Sequence, residues 1–171
     1  MIVSPSDKIG ITGENGTGKS TLLNKIFQSL TIPKEKVIYI SQEIENEEWQ
    51  SLEKEIRNLP KPELGELFTV VHRLDSNPER LLYSSSPSPG EKRKLILALG
   101  LLKSPNLLLL DEPTNHMDIP SIECLENTLK KFSGSIIMIS HDIQFIHNVA
   151  AIEWQIIKEK GNSKLIVNKE I

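Results

Sequence analysis

Residues 13–20 read Gly-Glu-Asn-Gly-Thr-Gly-Lys-Ser, a complete G-x-x-x-x-G-K-[ST] pattern. An apolar run, Lys8–Thr12, leads into it, and a helical pattern, Lys19–Leu30, leads out. Strand, glycine-rich turn and helix in that order leave few folds open, because the turn must curl tightly while the strand is buried on both faces. Glycine permits the backbone angles that aim successive N–H groups at one point, and a helix N-terminus adds partial positive charge there. The loop residues Gly13, Asn15, Gly16, Thr17 and Gly18 are therefore predicted to cradle a phosphate. Lys19 can reach β- and γ-phosphates, Ser20 can ligate Mg²⁺ through its hydroxyl, and Thr21 is a candidate for the α-phosphate.

Three further short apolar runs, Val37–Ser41, Leu107–Leu110 and Ile136–Ser140, alternate with helical patterns at Glu47–Leu59, Pro62–Leu74, Glu91–Leu102, Pro120–Phe132 and Ile143–Val149. Continuous apolar strands separated by helices predict an α/β fold with a parallel sheet flanked by helices. The segment 43–86 contains no good strand and reads as a small helical insertion punctuated by Pro60, Pro62 and Pro78. The expected organisation is one domain over 1–171, with a core of 1–42 and 87–171. Ile152–Lys158 and Lys164–Asn168, around Lys160-Gly161-Asn162, read as a C-terminal β-hairpin.

Leu107-Leu-Leu-Leu-Asp111-Glu112-Pro113 ends a buried-strand pattern in two carboxylates. Ligands of open α/β sheets bind at the carboxyl ends of strands, which places these acids beside the phosphate loop. Asp111 then fits a Mg²⁺-organising carboxylate, and Glu112 a base for an attacking water. Read alone, Asp-Glu-Pro could equally turn the chain after a core strand. Gln42 and His141 follow two other predicted strands at the same sheet edge, Gln42 facing the γ-phosphate through Mg²⁺ or water and His141 as a donor. His72, His147, Trp49 and Trp154 read as ordinary structural residues.

Composition narrows the class. The chain has 171 residues, a net charge of −3 and one cysteine, Cys124. That charge offers no general attraction to nucleic acid or acidic membranes. The basic clusters Lys92-Arg93-Lys94 and Lys130-Lys131 have acidic neighbours and read as solvated helix faces. Cys124 falls at helical spacing among Ile122, Leu125 and Leu129 and reads as packing; a single thiol fits a reducing compartment. No apolar run reaches the 18 or so residues of a membrane span, so direct membrane insertion is not expected and a cytoplasmic location is.

Taken together and in order, these residues resemble the nucleotide-binding domain of the ATP-binding cassette (ABC) proteins, over about Lys8 to Phe145. GENGTGKST is similar to Walker A, Gln42 to the Q-loop glutamine, Ser88-Pro-Gly-Glu to the signature, LLLLDEP to Walker B, Asn115-His-Met-Asp118 to the D-loop and His141 to the switch histidine. The resemblance implies a P-loop NTPase fold of the RecA-like kind and hydrolysis of ATP with Mg²⁺. It also implies a partner cassette, a second copy or a tandem homologous domain, whose phosphate loop faces Ser88 and Gly90 across the nucleotide, with Asp118 at the same seam. Asp118 could instead make an Asx-type turn before Pro120.

Within the family, Glu112-Pro-Thr-Asn-His-Met-Asp118 is similar to the ABC-F pattern, which implies a role on ribosomes in translation or antibiotic resistance. The alternative is the energy module of a membrane transporter, partnered by a transmembrane subunit. Three departures stand out. Only 12 residues precede Gly13, so the family's first strands and adenine-stacking aromatic are missing and the chain looks like a truncated cassette; there is one cassette; and Pro89 replaces a glycine of the signature. Ser88-Pro-Gly-Glu91 nevertheless reads as a capping box with Pro89 at the first helical position. The Ser88 hydroxyl is free either to cap that helix or to meet a partner's γ-phosphate, and Gly90 has no side chain to obstruct a close phosphate.

Overall fold

The computed structural model describes residues 3–83, 87–159 and 162–169. Six strands form one sheet in the order β2-β3-β4-β1-β5-β6. They are β1 (Lys8–Gly13), β2 (Val37–Ile40), β3 (Leu107–Asp111), β4 (Ser135–Ile139), β5 (Ile152–Glu159) and β6 (Asn162–Lys169). All neighbours pair in parallel except β5 and β6, an antiparallel hairpin. The first hairpin strand joins the parallel sheet directly beside β1, so the hairpin extends the sheet as its edge. The expected turn at Lys160-Gly161 and the serine run 84–86 lie outside the described residues.

Alternation along the central strands sorts the core into two layers, as a sheet covered on both faces requires. Leu107, Leu109, Ile137 and Ile139 pack with Ile9, Ile11, Trp154 and Ile156 against helix α1 (Lys19–Ser29) through Leu23. Leu108, Leu110, Ile136 and Met138 face the other way, toward α5 (Pro89–Leu102), α6 (Ile119–Lys131) and α7 (Ile143–Val149). Gly10 faces α7, where an added Cβ would lie 2.6 Å from Ile146 Cγ2, so the helix sits directly on the strand.

Between β2 and α5 run α2 (Asn46–Arg57), α3 (Lys61–Arg73) and α4 (Pro78–Tyr83). Ile56, Leu67, Val71, Leu74 and Leu81 tuck these helices onto the α5 side of the core. Pro78, expected as punctuation, opens α4, a position that suits a residue lacking an N–H; Asn77 Oδ1 accepts from the Arg80 N–H at 3.0 Å.

One sequence expectation is overturned. Arg93 and Lys94 were expected on a solvated face, yet they are 3% and 7% exposed. Helix α5 is the central helix of its layer and is enclosed on nearly every side from Arg93 to Leu99. Acidic neighbours in sequence say nothing about that enclosure. Lys94 is satisfied inside by Asp75 O at 3.1 Å, Ser76 Oγ at 2.9 Å and the Ser121 hydroxyl. Lys92 lies over the Trp49 ring, 5.3 Å from its centre.

Leu109 is fully buried in the middle of β3. Replacing it with alanine is expected to cost about 2–5 kcal/mol in chemical denaturation; a loss below about 1 kcal/mol would contradict this packing.

Candidate functional site

At the carboxyl end of β1 the chain turns through Gly13, Gly16 and Gly18 with φ of 141°, 72° and 98°. Two of these glycines are needed for separate reasons. A Cβ on Gly13 would meet Ile156 O at 2.4 Å, whereas Gly18 is unobstructed and is needed for its left-handed backbone at the N-cap of α1. Thr17 is buried and its hydroxyl donates to Glu14 O at 2.8 Å, stitching the loop. The Lys19 ammonium reaches back over the loop, donating to Gly13 O at 2.8 Å and Glu14 O at 3.1 Å. Among the described residues its hydrogen bonds go to these two neutral carbonyls, which leaves its charge available to an anion.

Asn15, Gly16, Gly18, Lys19, Ser20 and Thr21 line one wall of a cleft of about 530 Å³. Its other walls come from Gln42, Asp111, Glu112, Ile139 and His141. Parallel pairing explains the convergence: Asp111 and Ile11 are both in register with Ile139, so the loop after β1 begins on the side where β3 and β4 end. Every residue expected at the catalytic and metal positions therefore meets here, and so does the phosphate loop.

The acids are under electrostatic pressure. Asp111 and Glu112 are 3% and 4% exposed, and Asp111 Oδ1 and Glu112 Oε1 have no hydrogen-bond partner among the described residues. Burial pushes the Asp111 carboxyl above its ordinary range, opposed by the Ser20 hydroxyl and the Lys19, Arg93 and His141 charges. Burial raises Glu112 likewise, against the His141 backbone N–H, which donates to Glu112 Oε2 at 3.2 Å. His141 Nε2 stands 3.4 Å from Glu112 Oε1, too long for a good hydrogen bond. Glu112 also holds φ at 50°, a conformation uncommon outside glycine and characteristic of functional positions. Two buried, unpaired carboxylate oxygens with the Ser20 hydroxyl and the Gln42 side chain in the same cleft are oxygen donors suited to a hard cation such as Mg²⁺, while the Lys19 ammonium suits an anion.

Ser88, Gly90 and Asp118 are not in that cleft. They line a second one, about 400 Å³, with Arg80, Glu91, Lys94, His116 and Ser121. The capping box is complete: Ser88 Oγ accepts from the Glu91 N–H at 3.3 Å and Glu91 Oε2 from the Ser88 N–H at 2.7 Å. The structure also sharpens the reading of Gly90: an added Cβ would lie 2.5 Å from His116 O, so the glycine is required by the neighbouring loop. Asp118 caps α6, accepting from the Ser121 N–H at 3.3 Å, and its pKa is lowered by its hydrogen bonds to Ser121.

A sequence model of the family described as ABC transporter matches residues 1–115. The chain belongs to this family. Its curated relatives include the ATP-binding protein Uup of Buchnera aphidicola subsp. Schizaphis graminum, 35% identical over 87% of this chain and 28% of the relative. The erythromycin resistance ATP-binding protein MsrA of Staphylococcus epidermidis is 37% identical over 93% of this chain and 30% of its own length. The ribosome protection protein VmlR of Bacillus subtilis is 30% identical over 97% and 30%. These relatives are of the ABC-F type, and the chain spans under a third of their lengths. Among solved structures, the dimeric post-hydrolysis state of the ATP-binding cassette MJ0796 bound to ADP and Pi has the same fold, with a TM-score of 0.72 and 14% identity over 99% of this cassette and 88% of that chain.

Two contributions escaped the sequence reading. Arg93, hidden in a basic run, donates to the backbone carbonyls of Gln42 and, at 2.9 Å, of Asn115. The hairpin docks on the phosphate loop, where Ser163 Oγ donates to Thr17 O at 2.9 Å and the Lys158 ammonium lies 3.9 Å from where a Gly16 Cβ would be. Neither has a local sequence signal, since both depend on how distant segments pack.

The raised Glu112 pKa has a signed consequence. An acid whose folded pKa exceeds its unfolded value favours the folded state when protonated and opposes it once ionised. Glu112→Gln is expected to raise Tm at about pH 7.5, with the gain shrinking as the pH falls into the ordinary carboxylate range of about 4–5. A lower Tm for the variant at neutral pH, in a pH series of melting curves, would contradict this.

Proposed function

We propose that this chain is an ATP-hydrolysing cassette of the ABC-F type, in which ATP with Mg²⁺ binds at the phosphate-loop cleft and is completed by a partner cassette. The observation that carries the reading is the convergence of Lys19, Ser20, Gln42, Asp111, Glu112 and His141 on one cleft, with the two acids left unpaired. The loop N–H groups and Lys19 bind the phosphates. Ser20, Asp111 and Gln42 would hold Mg²⁺, which supplies charge neutralisation on the phosphates when bound. Glu112 accepts a proton from water as that water attacks the γ-phosphorus; the bond to the bridging oxygen breaks and ADP leaves. The His141 backbone N–H fixes one Glu112 oxygen and leaves the other facing the cleft, while its imidazole, 57% exposed, is open to the γ-phosphate.

The second cleft supports a two-cassette arrangement. Ser88, at an N-cap, lies away from the phosphate loop of its own chain, so it is placed to meet a nucleotide held by another. Ile119 and Ile143, 72% and 65% exposed, flank these clefts just after Asp118 and His141, and they give that surface apolar contacts to bury. The partner is a second copy or a homologous domain in tandem. Similarity to the ribosome protection protein VmlR, with Asn115-His116 in the sequence, supports action at the ribosome in preference to transport, and similarity to the erythromycin resistance protein MsrA supports a link to antibiotic resistance.

Glu112→Gln is expected to lower turnover by roughly 10²–10⁴-fold while retaining ATP binding, and in its presence ATP should drive association. In sedimentation experiments on that background, Ser88→Ala should impair ATP-dependent association far more than ATP affinity of the monomer. Equal losses in both would refute the role given to Ser88.

A further inference from the structure

Helix α5 begins at the second cleft with Ser88 and, one turn later, sends Arg93 into the core beneath the first. Arg93 is 3% exposed, and no carboxylate among the described residues pairs with it directly. Its guanidinium donates through one terminal nitrogen to Asn115 O at 2.9 Å and through the other to Gln42 O, and Nε has no partner. Its charge is felt at Asp111 and Glu112. Burying an unpaired guanidinium costs several kcal/mol, so a role confined to filling space would be better served by an apolar side chain.

The two carbonyls it joins belong to functionally distinct segments. Gln42 lines the phosphate-loop cleft; Asn115 opens the loop through His116, whose carbonyl rests against Gly90, to Asp118 of the second cleft. A planar fork with fixed donor directions can hold two such acceptors at once, which an ammonium on a flexible stem does poorly.

We propose that Arg93 is a positioning residue that couples the two clefts, locking Gln42 to the helix that begins at Ser88 and to the loop that ends at Asp118. The proposal rests on the nucleotide reading of the first cleft. A shift of Gln42 when nucleotide binds moves the Asn115–Asp118 loop and the start of α5, and closure of the second cleft on a partner is returned to Gln42 by the same link.

Hydrogen–deuterium exchange with and without Mg·ATP tests this on the whole chain carrying Glu112→Gln. Protection is expected at 13–21, and also at 41–43 and 114–118, the remote effect being roughly two- to thirtyfold for a coupling of typical strength. In Arg93→Met, protection at 13–21 should remain measurable at saturating Mg·ATP while the effect at 114–118 disappears. Arg93→Lys, which keeps the charge without the fork, should lose the remote effect too and serves where the methionine variant does not fold. Undiminished ATP-dependent protection at 114–118 in a folded Arg93 variant would overturn the coupling role. Absence of protection at 13–21 in the parent would instead overturn the nucleotide reading, and the proposal with it.

Discussion

Burial of charge at the carboxyl ends of parallel strands is the constraint on which this structure turns. Asp111 and Glu112 close β3 in a place that solvent barely reaches, and each keeps an oxygen without a partner. Such a site costs stability unless nearby positive charge offsets it. Lys19 comes from α1 and Arg93 from the second turn of α5, and both act on Asp111. The sheet register is what brings them together. A site that is unfavourable in its own chain and favourable with a cation and phosphates present is one in which ligand binding does structural work.

The same economy of space appears in the phosphate loop. Its positive-φ glycines shape the turn, while Gly13 also admits the backbone of β5. The hairpin is therefore more than a C-terminal extension. It covers the outer side of β1 and fastens the loop through Ser163 and Thr17, so the loop is held from the sheet edge as well as by its own helix.

Much of this was legible in the sequence, and what was not has a common cause. The phosphate loop, the four central strands, the capping box at Ser88 and the acids after Leu110 are local patterns, each readable from spacing within about ten residues. The parallel sheet then brought Gln42 and His141 to the same edge, as expected. Arg93 and Lys94 were misread because their burial depends on α3, α6 and the 75–76 turn enclosing α5, contacts separated widely along the chain. The placing of Ser88 and Asp118 at a seam with a partner cassette came from the resemblance to ABC proteins; in the structure the two residues share a cleft away from the phosphate loop.

The central claim is that the cleft at Gly13–Thr21, with Asp111 opposite, holds a nucleotide and its cation. Calorimetric titration of the chain with ATP, with and without Mg²⁺, tests it most directly when Lys19→Ala is run in parallel. The account predicts one ATP per chain, tighter binding with Mg²⁺, and a loss of at least about tenfold in affinity on replacing Lys19. Unchanged affinity in the variant, or no binding by the parent chain, would contradict it.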